Sequence, residues 1–219
     1  MELFLDTANL DEIRQAIRMG VISGVTTNPS LAAKEGIGQL QAYKRTVQEI
    51  ARLVDGPISA EVVSTDYEGM VLEGRDIATW APNVVAKIPS TKVGFEAIAT
   101  LSKEGVKINQ TLCFSLNQAL LGARAGSSFV SPFVGRLDDE GHDGMLLVAD
   151  IVEVFKKYGI RTKVLAASLR HPLHCVAAAK AGADIATIPF KVLLQMAHHP
   201  LTDVGVARFS EDWKRAIKG

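Results

Sequence analysis

Val84-Val85-Ala86-Lys87-Ile88-Pro89 is a short, half β-branched run with one charge inside it and a proline at its end. Apolar neighbours on both sides of the lysine read as a strand covered on both faces, the pattern of a parallel sheet. Runs of the same kind recur on either side, at 3–5, 24–26 and 58–62 before it and at 106–109, 128–131, 163–167 and 184–188 after it. Between the runs lie patterns of helical period, at 10–19, 38–54, 66–80, 92–104, 115–125, 143–158, 172–181 and 190–198. Asn9 suits the cap of the first helix and Gly20 its end. Gly126, Gly159 and Gly182 read as further helix stops. Eight strand-then-helix units predict α/β architecture, with a parallel sheet closed into a (β/α)8 TIM barrel. One domain covers residues 1–219, and an additional C-terminal helix at 206–217 follows the eighth unit. The rival is a doubly wound open sheet. It usually has fewer strands, and no Gly-x-Gly-x-x-Gly follows the first run here.

Composition narrows the function classes. The chain has 219 residues, 47% of them apolar and 22% charged, which suits a large core and argues against disorder. Net charge is zero and the signs are mixed along the chain, so no bulk field attracts nucleic acid or an anionic membrane. The first residues lack the basic flank and apolar stretch of a signal peptide, and no run approaches the roughly twenty apolar residues of a membrane span. Cys113 and Cys175 are isolated and read as packed thiols of a reducing, cytoplasmic compartment. His171, His174 and Cys175 lie close together, but Pro172 intervenes and no second ligand cluster accompanies them. They read as helix start and interior, and neither a metal nor an organic cofactor is expected. Asp138, Asp139, Glu140 and Asp143 read as a solvated acidic loop, and Trp80 and Trp213 as packing residues.

Barrel enzymes carry their chemistry at the C-terminal ends of the strands. Asp6 ends the first run and Asn28 follows the second. Glu61 and Lys87 lie within the ends of the third and fourth. Asn109 and Thr111 end the fifth. Ser131 ends the sixth, followed by Phe133 and Arg136. Ser168 and Arg170 end the seventh. Seven of the eight runs thus deliver a polar group to one rim. Charges are rarely buried without a partner or a purpose. One plain alternative is a structural ion-pair network across the rim.

Lys87 is the candidate nucleophile. Burial among apolar neighbours favours the neutral amine, which can attack a ketone and form a Schiff base. The protonated imine is an electron sink, so a neighbouring C–C bond can break or form without a cofactor. The plain alternative is a lysine that snorkels to solvent. Lys191, after 188–190, is the competing amine, and Lys107 alternates outward. Asp6 and Glu61 are the carboxylates available for proton transfer. A Glu61–Lys87 salt bridge that keeps both charged would oppose the activated amine. Arg136, Ser168 and Arg170 suit a phosphate clamp, since guanidinium groups bind such anions directionally.

These residues carry a resemblance that spans nearly the whole chain. Phe4-Leu5-Asp6-Thr7-Ala8-Asn9, Gly24-Val25-Thr26-Thr27-Asn28-Pro29 and Ala86-Lys87-Ile88-Pro89 resemble the small transaldolases, relatives of the fructose-6-phosphate aldolases. Ile108-Asn109-Gln110-Thr111-Leu112, Val130 to Arg136 and Ala167 to Pro172 continue the match. The resemblance implies a Schiff base between Lys87 and a ketose phosphate such as fructose 6-phosphate or sedoheptulose 7-phosphate. It implies that Asp6 handles the proton of the hydroxyl released on cleavage, and that Glu61 and Thr111 hold a catalytic water. Asn28, Asn109 and Ser131 match positions that grip the dihydroxyacetone portion, and Arg136, Ser168 and Arg170 match the phosphate site. The implied reaction moves a three-carbon unit to an aldose phosphate in the pentose phosphate pathway. Phe133 and Glu61 are of the transaldolase type, where the aldolases resemble the pattern with tyrosine and glutamine. The family also implies a homo-oligomer, a pentamer or decamer in which the C-terminal helix reaches a neighbour. Phe209 and Trp213 share one face of that helix.

Overall fold

A computed structural model of the protein describes residues 1–218. Eight parallel strands form a closed barrel in chain order. They are β1 (Glu2–Asp6), β2 (Gly24–Thr26), β3 (Ile58–Glu61), β4 (Val84–Pro89), β5 (Ile108–Cys113), β6 (Phe129–Pro132), β7 (Lys163–Ala166) and β8 (Ile185–Ile188). β8 pairs back onto β1, with Leu5 opposite Ile188, so no strand edge is left open. The helices expected between strands are present as α1 (Leu10–Met19), α3 (Leu40–Leu53), α4 (Tyr67–Ala78), α5 (Lys92–Lys103), α6 (Leu116–Ala125), α8 (Gly144–Lys157), α9 (Pro172–Ala181) and α10 (Phe190–Ala197). Asn9 caps α1 by accepting from the Asp11 and Glu12 amides, and Gly20 ends it in the left-handed region.

Most strand ends shift by a residue from the sequence expectation, and β5 shifts further, to Ile108–Cys113 from 106–109, which leaves Lys107 just before the strand; three helical differences are larger. Two short helices, α2 (Pro29–Lys34) and α7 (Val134–Asp139), lie in the loops after β2 and β6. Asp138 and Asp139 therefore belong to a helix rather than a solvated loop. The C-terminal helix α11 runs Pro200–Lys218, six residues earlier than the 206 start, because Pro200 suits the first turn of a helix. Trp213 does not pack on this barrel, being 70% exposed, whereas Trp80 is buried against Tyr43 with ring centroids 5.8 Å apart. No helix among the described residues is long and apolar enough to cross a membrane.

Two apolar layers hold the barrel. The larger lies between the strands and the helices, and includes Leu5, Val25, Ile58, Ile88, Ile98 and Ile151. The smaller includes Phe4, Val85, Phe129, Phe133, Leu165 and Ile185. Strand side chains alternate between faces. Phe4 and Asp6 thus share the interior face of β1, Val85 and Lys87 that of β4, and Ile185 and Thr187 that of β8. The lower interior is apolar and the upper interior polar. Gly24 makes this floor possible, because a Cβ there would sit 2.6 Å from the Phe4 ring.

Candidate active site

Register sets the upper layer. Glu61 lies opposite Lys87, and Lys87 opposite Asn109. The Lys87 amine is buried, with its side chain only 4% exposed, and lies 2.9 Å from Glu61 Oε2. It also donates to the Thr27 carbonyl at 3.4 Å. The lysine does not snorkel. The salt bridge to Glu61 is formed, the arrangement expected to oppose an activated amine, so the amine becomes a nucleophile only after it passes its proton on, and Glu61 is the carboxylate within reach to take it. Tyr43 steadies that carboxylate's strand: its hydroxyl accepts from the Glu61 amide at 3.2 Å and lies 2.5 Å from Thr27 Oγ1. Burial pushes the Tyr43 pKa up to about 12, so the phenol keeps its proton.

Asp6 stands across from this pair. Thr26 Oγ1 donates to Asp6 Oδ1 at 2.6 Å and lies 2.6 Å from Thr187 Oγ1. Burial pushes the Asp6 pKa up, and the opposing pulls from Lys87, the Thr26 hydroxyl and Lys34 do not cancel it. Such a carboxyl is suited to picking up and returning a proton.

Asn109 links two hydroxyls inside the barrel: it donates to Ser59 Oγ at 3.0 Å and accepts from Ser131 Oγ at 2.7 Å. Thr111 Oγ1 is fully buried and has no hydrogen-bond partner among the described residues. A buried hydroxyl left over by the protein is what a water or substrate oxygen would engage. The next residue, Leu112, has φ 51°, and the β5–β6 register shifts between Gln110 and Cys113. Ser168 also has positive φ, at 58°. Both strained residues lie on the rim, where strain tends to gather at working sites. Gly135 lets α7 approach Ser168: its amide donates to the Ser168 carbonyl at 3.1 Å, and a Cβ there would sit 2.4 Å from that oxygen.

A cavity of about 230 Å³ opens above this layer, lined by Asp6, Asn28, Lys87, Ser131, Phe133, Arg136 and Ser168. Asn28 Oδ1 accepts from the Leu31 amide and so caps α2. Phe133 is buried, with the Lys87 amine 5.9 Å and the Arg136 guanidinium 5.4 Å from its ring centre. Arg170 does not line the cavity. Both of its terminal nitrogens donate to Asp139 on α7. His174 lies 3.3 Å from Asp138 and against His171, with ring centroids 3.7 Å apart and the planes tilted by 49°.

Thr26, Thr187 and Lys34 also line the cavity and escape a reading confined to the last residue of each run. Alternation back from Ile185 would have reached Thr187. Asn28-Pro29 carries the cap-then-proline signature of a helix start, which would have revealed α2 and, at its end, Lys34. Lys191 and Lys107 are exposed, so neither competes with Lys87.

A closed parallel barrel with a lysine buried beside Glu61 at its mouth fits an enzyme of the aldolase and transaldolase kind. The model of the Transaldolase/Fructose-6-phosphate aldolase family matches residues 3–218, and the chain belongs to that family. A protein of Dehalococcoides mccartyi named "Probable transaldolase" is 61% identical over 219 residues, covering all of both chains. One of the same name from Heliobacterium modesticaldum is 60% identical over 214 residues, covering 98% of each. A solved structure from Coccidioides immitis, titled as that of "a putative fructose-1,6-biphosphate aldolase", shares the fold at TM-score 0.58 and 12% identity. It covers 86% of this chain and 73% of its own.

Proposed function

We propose that the enzyme is a class I transaldolase that moves a dihydroxyacetone unit from fructose 6-phosphate or sedoheptulose 7-phosphate to an aldose phosphate such as glyceraldehyde 3-phosphate. The observation that carries this reading is the Lys87 amine, buried at the barrel mouth 2.9 Å from Glu61 in a cavity that Asp6 also lines. Lys87 passes its proton to Glu61 or to a water held by Glu61 and Thr111, and the free amine adds to the ketose carbonyl. Loss of water gives the iminium. Asp6 then takes the proton of the hydroxyl on the carbon about to leave. The C–C bond breaks, its electron pair enters the iminium to give an enamine, and the aldose phosphate departs. An acceptor aldehyde takes up the enamine carbon, Asp6 returns the proton to the new hydroxyl, and water releases the product. Asn28, Asn109 and Ser131 hold the three-carbon unit, while Arg136 and Ser168 hold the phosphate; Arg170, expected with them, is instead paired with Asp139 on α7.

Phe133 favours transfer over free aldol cleavage. It packs beside Lys87 without a hydroxyl that would protonate the enamine. The alternative, a fructose-6-phosphate aldolase, requires sustained release of dihydroxyacetone with no acceptor present. Borohydride added with fructose 6-phosphate tests the central step. A three-carbon adduct on Lys87 is expected, and labelling at Lys191 or nowhere would overturn it.

The wider setting follows from that activity: a cytoplasmic step of the pentose phosphate pathway, with sugar phosphates as partners. We also propose a homo-oligomer, a pentamer or decamer. Leu201, Val204, Phe209, Trp213 and Ile217 leave α11 an exposed apolar helix, and such faces are usually covered. Light scattering of the wild type and of Trp213→Glu reads this directly; a monomer in both would end it.

A further inference from the structure

We infer that Lys34, at the end of α2, is a specificity-determining residue that binds the phosphate of both donor and acceptor sugars together with Arg136 and Ser168. The inference rests on the transaldolase reading and deepens it. The starting point is a shortage of cations. A phosphate monoester carries about −1.5 to −2 charge at neutral pH. Of the two arginines that the sequence offers, only Arg136 faces the cavity, because Arg170 is held by Asp139 in a two-nitrogen pair. That pairing uses the planar fork that a phosphate would otherwise engage.

Lys34 makes up the shortfall. It lines the same cavity as Arg136, Ser168 and Asp6. Among the described residues its ammonium has no carboxylate partner within salt-bridge distance, and the neighbouring Glu35 is engaged with the Asn9 amide nitrogen at 2.8 Å. Its charge reaches Asp6, on which it exerts a lowering pull. Its place is set by the chain: Asn28 and Pro29 start α2 at the mouth, and a six-residue helix carries Lys34 to its far end. A lysine is also the right chemistry here. Its flexible stem lets a point charge follow a phosphate on sugars of different length.

The plain reading is that Lys34 is a solvated, last-turn cation that complements the end of α2. The two readings separate on substrates with and without phosphate. In a ping-pong reaction the acceptor's kcat/KM does not depend on the donor. The ratio of kcat/KM for glyceraldehyde 3-phosphate over glyceraldehyde is therefore measured in the wild type, Lys34→Met and Lys34→Arg. The ratio should fall about tenfold or more in Lys34→Met, through KM rather than kcat, and recover largely in Lys34→Arg. An unchanged ratio, or equal losses with both acceptors, would overturn the assignment. Inorganic phosphate titrated into wild type and Lys34→Met by calorimetry gives an answer that needs no turnover. Weaker binding in the variant supports the subsite, and equal binding refutes it. If the wild type forms no Lys87 adduct and transfers nothing, the transaldolase reading fails while the phosphate titration still decides the role of Lys34.

Discussion

The two ends of the barrel differ in a way that cavity size would misjudge. The larger cavity, about 850 Å³, lies where the strands begin, lined by Asp55, Lys107, Arg124, Ser127, Tyr158, Arg161 and Lys163 among others. Its charges are exposed or paired at the surface. Lys163 meets Glu2 at 2.9 Å, and Arg124 sits in the last turn of α6, where a cation complements the helix end. The smaller cavity, about 230 Å³, lies where the strands end. There a lysine is buried beside a carboxylate and a second carboxyl is held protonated more tightly than usual. Desolvating charge is costly, so a cluster of it that persists marks a site better than open volume does.

The strongest break of this comparison is at Lys87. Lys87→Met should abolish adduct formation and lower transfer by about 10⁴-fold or more, whereas Lys107→Met at the other end should leave both unchanged. Comparable losses in both would mean that the ends are not functionally distinct. Glu61→Gln comes next. It keeps a side chain of similar size beside the amine but removes the proton acceptor, and kcat should fall about 10²-fold. A kcat within twofold of wild type would show that the proton leaves Lys87 by another route.

Asp6→Asn should also lower cleavage about 10²-fold, and it carries a second, opposite signature in stability. A carboxyl whose folded pKa lies above its unfolded value holds its proton more tightly in the native state. Native stability therefore falls as pH rises from 3.8 through the raised value. The asparagine removes that loss. Its Tm should exceed wild type by a few degrees at pH 8, and the gap should close as the pH falls toward 3.8. A Tm gap that does not vary with pH would show that Asp6 is not held above its ordinary range. Phe133→Tyr is a smaller change, one hydroxyl added beside Lys87. It should raise release of free dihydroxyacetone severalfold, measured from fructose 6-phosphate without acceptor. An unchanged rate would refute the role given to the missing hydroxyl.

Much of this was legible in the sequence, and for definite reasons. Eight short apolar runs, separated by patterns of helical period with glycine stops, carry the barrel, because a strand buried on both faces has few ways to be written. Asp6, Glu61 and Lys87 stood out because charge at the end of an apolar run is rare. Lys34 and Arg170 show where legibility stops. Both are ordinary surface cations in sequence, and only the short helices α2 and α7 decide which faces the cavity. Lys34 turns toward it, while Asp139, delivered by α7, takes Arg170 away. Periodicity in the sequence suggests neither helix, since six residues are too few to show a period. Trp213 marks a related limit: a face that is apolar at helical spacing says that something covers it, not what, and its exposure here excludes only packing on its own barrel.

The mildest prediction tests the quiet end. Lys107→Gln combined with Arg124→Gln removes two cations from the lining of the larger cavity. Neither belongs to the proposed machinery, and neither makes a salt bridge among the described residues. Surface charges of this kind add little to stability, and their fields are screened within about 10 Å at moderate salt. The mouth lies a full strand length away, behind the packed floor of Phe4, Val85, Leu165 and Ile185. Transfer should stay within twofold of wild type, and Tm within about 2 °C. The apolar floor is the physical reason to expect so little. A tenfold loss of activity would mean that the floor transmits what happens beneath it, and that the volume at the bottom belongs to the working enzyme after all.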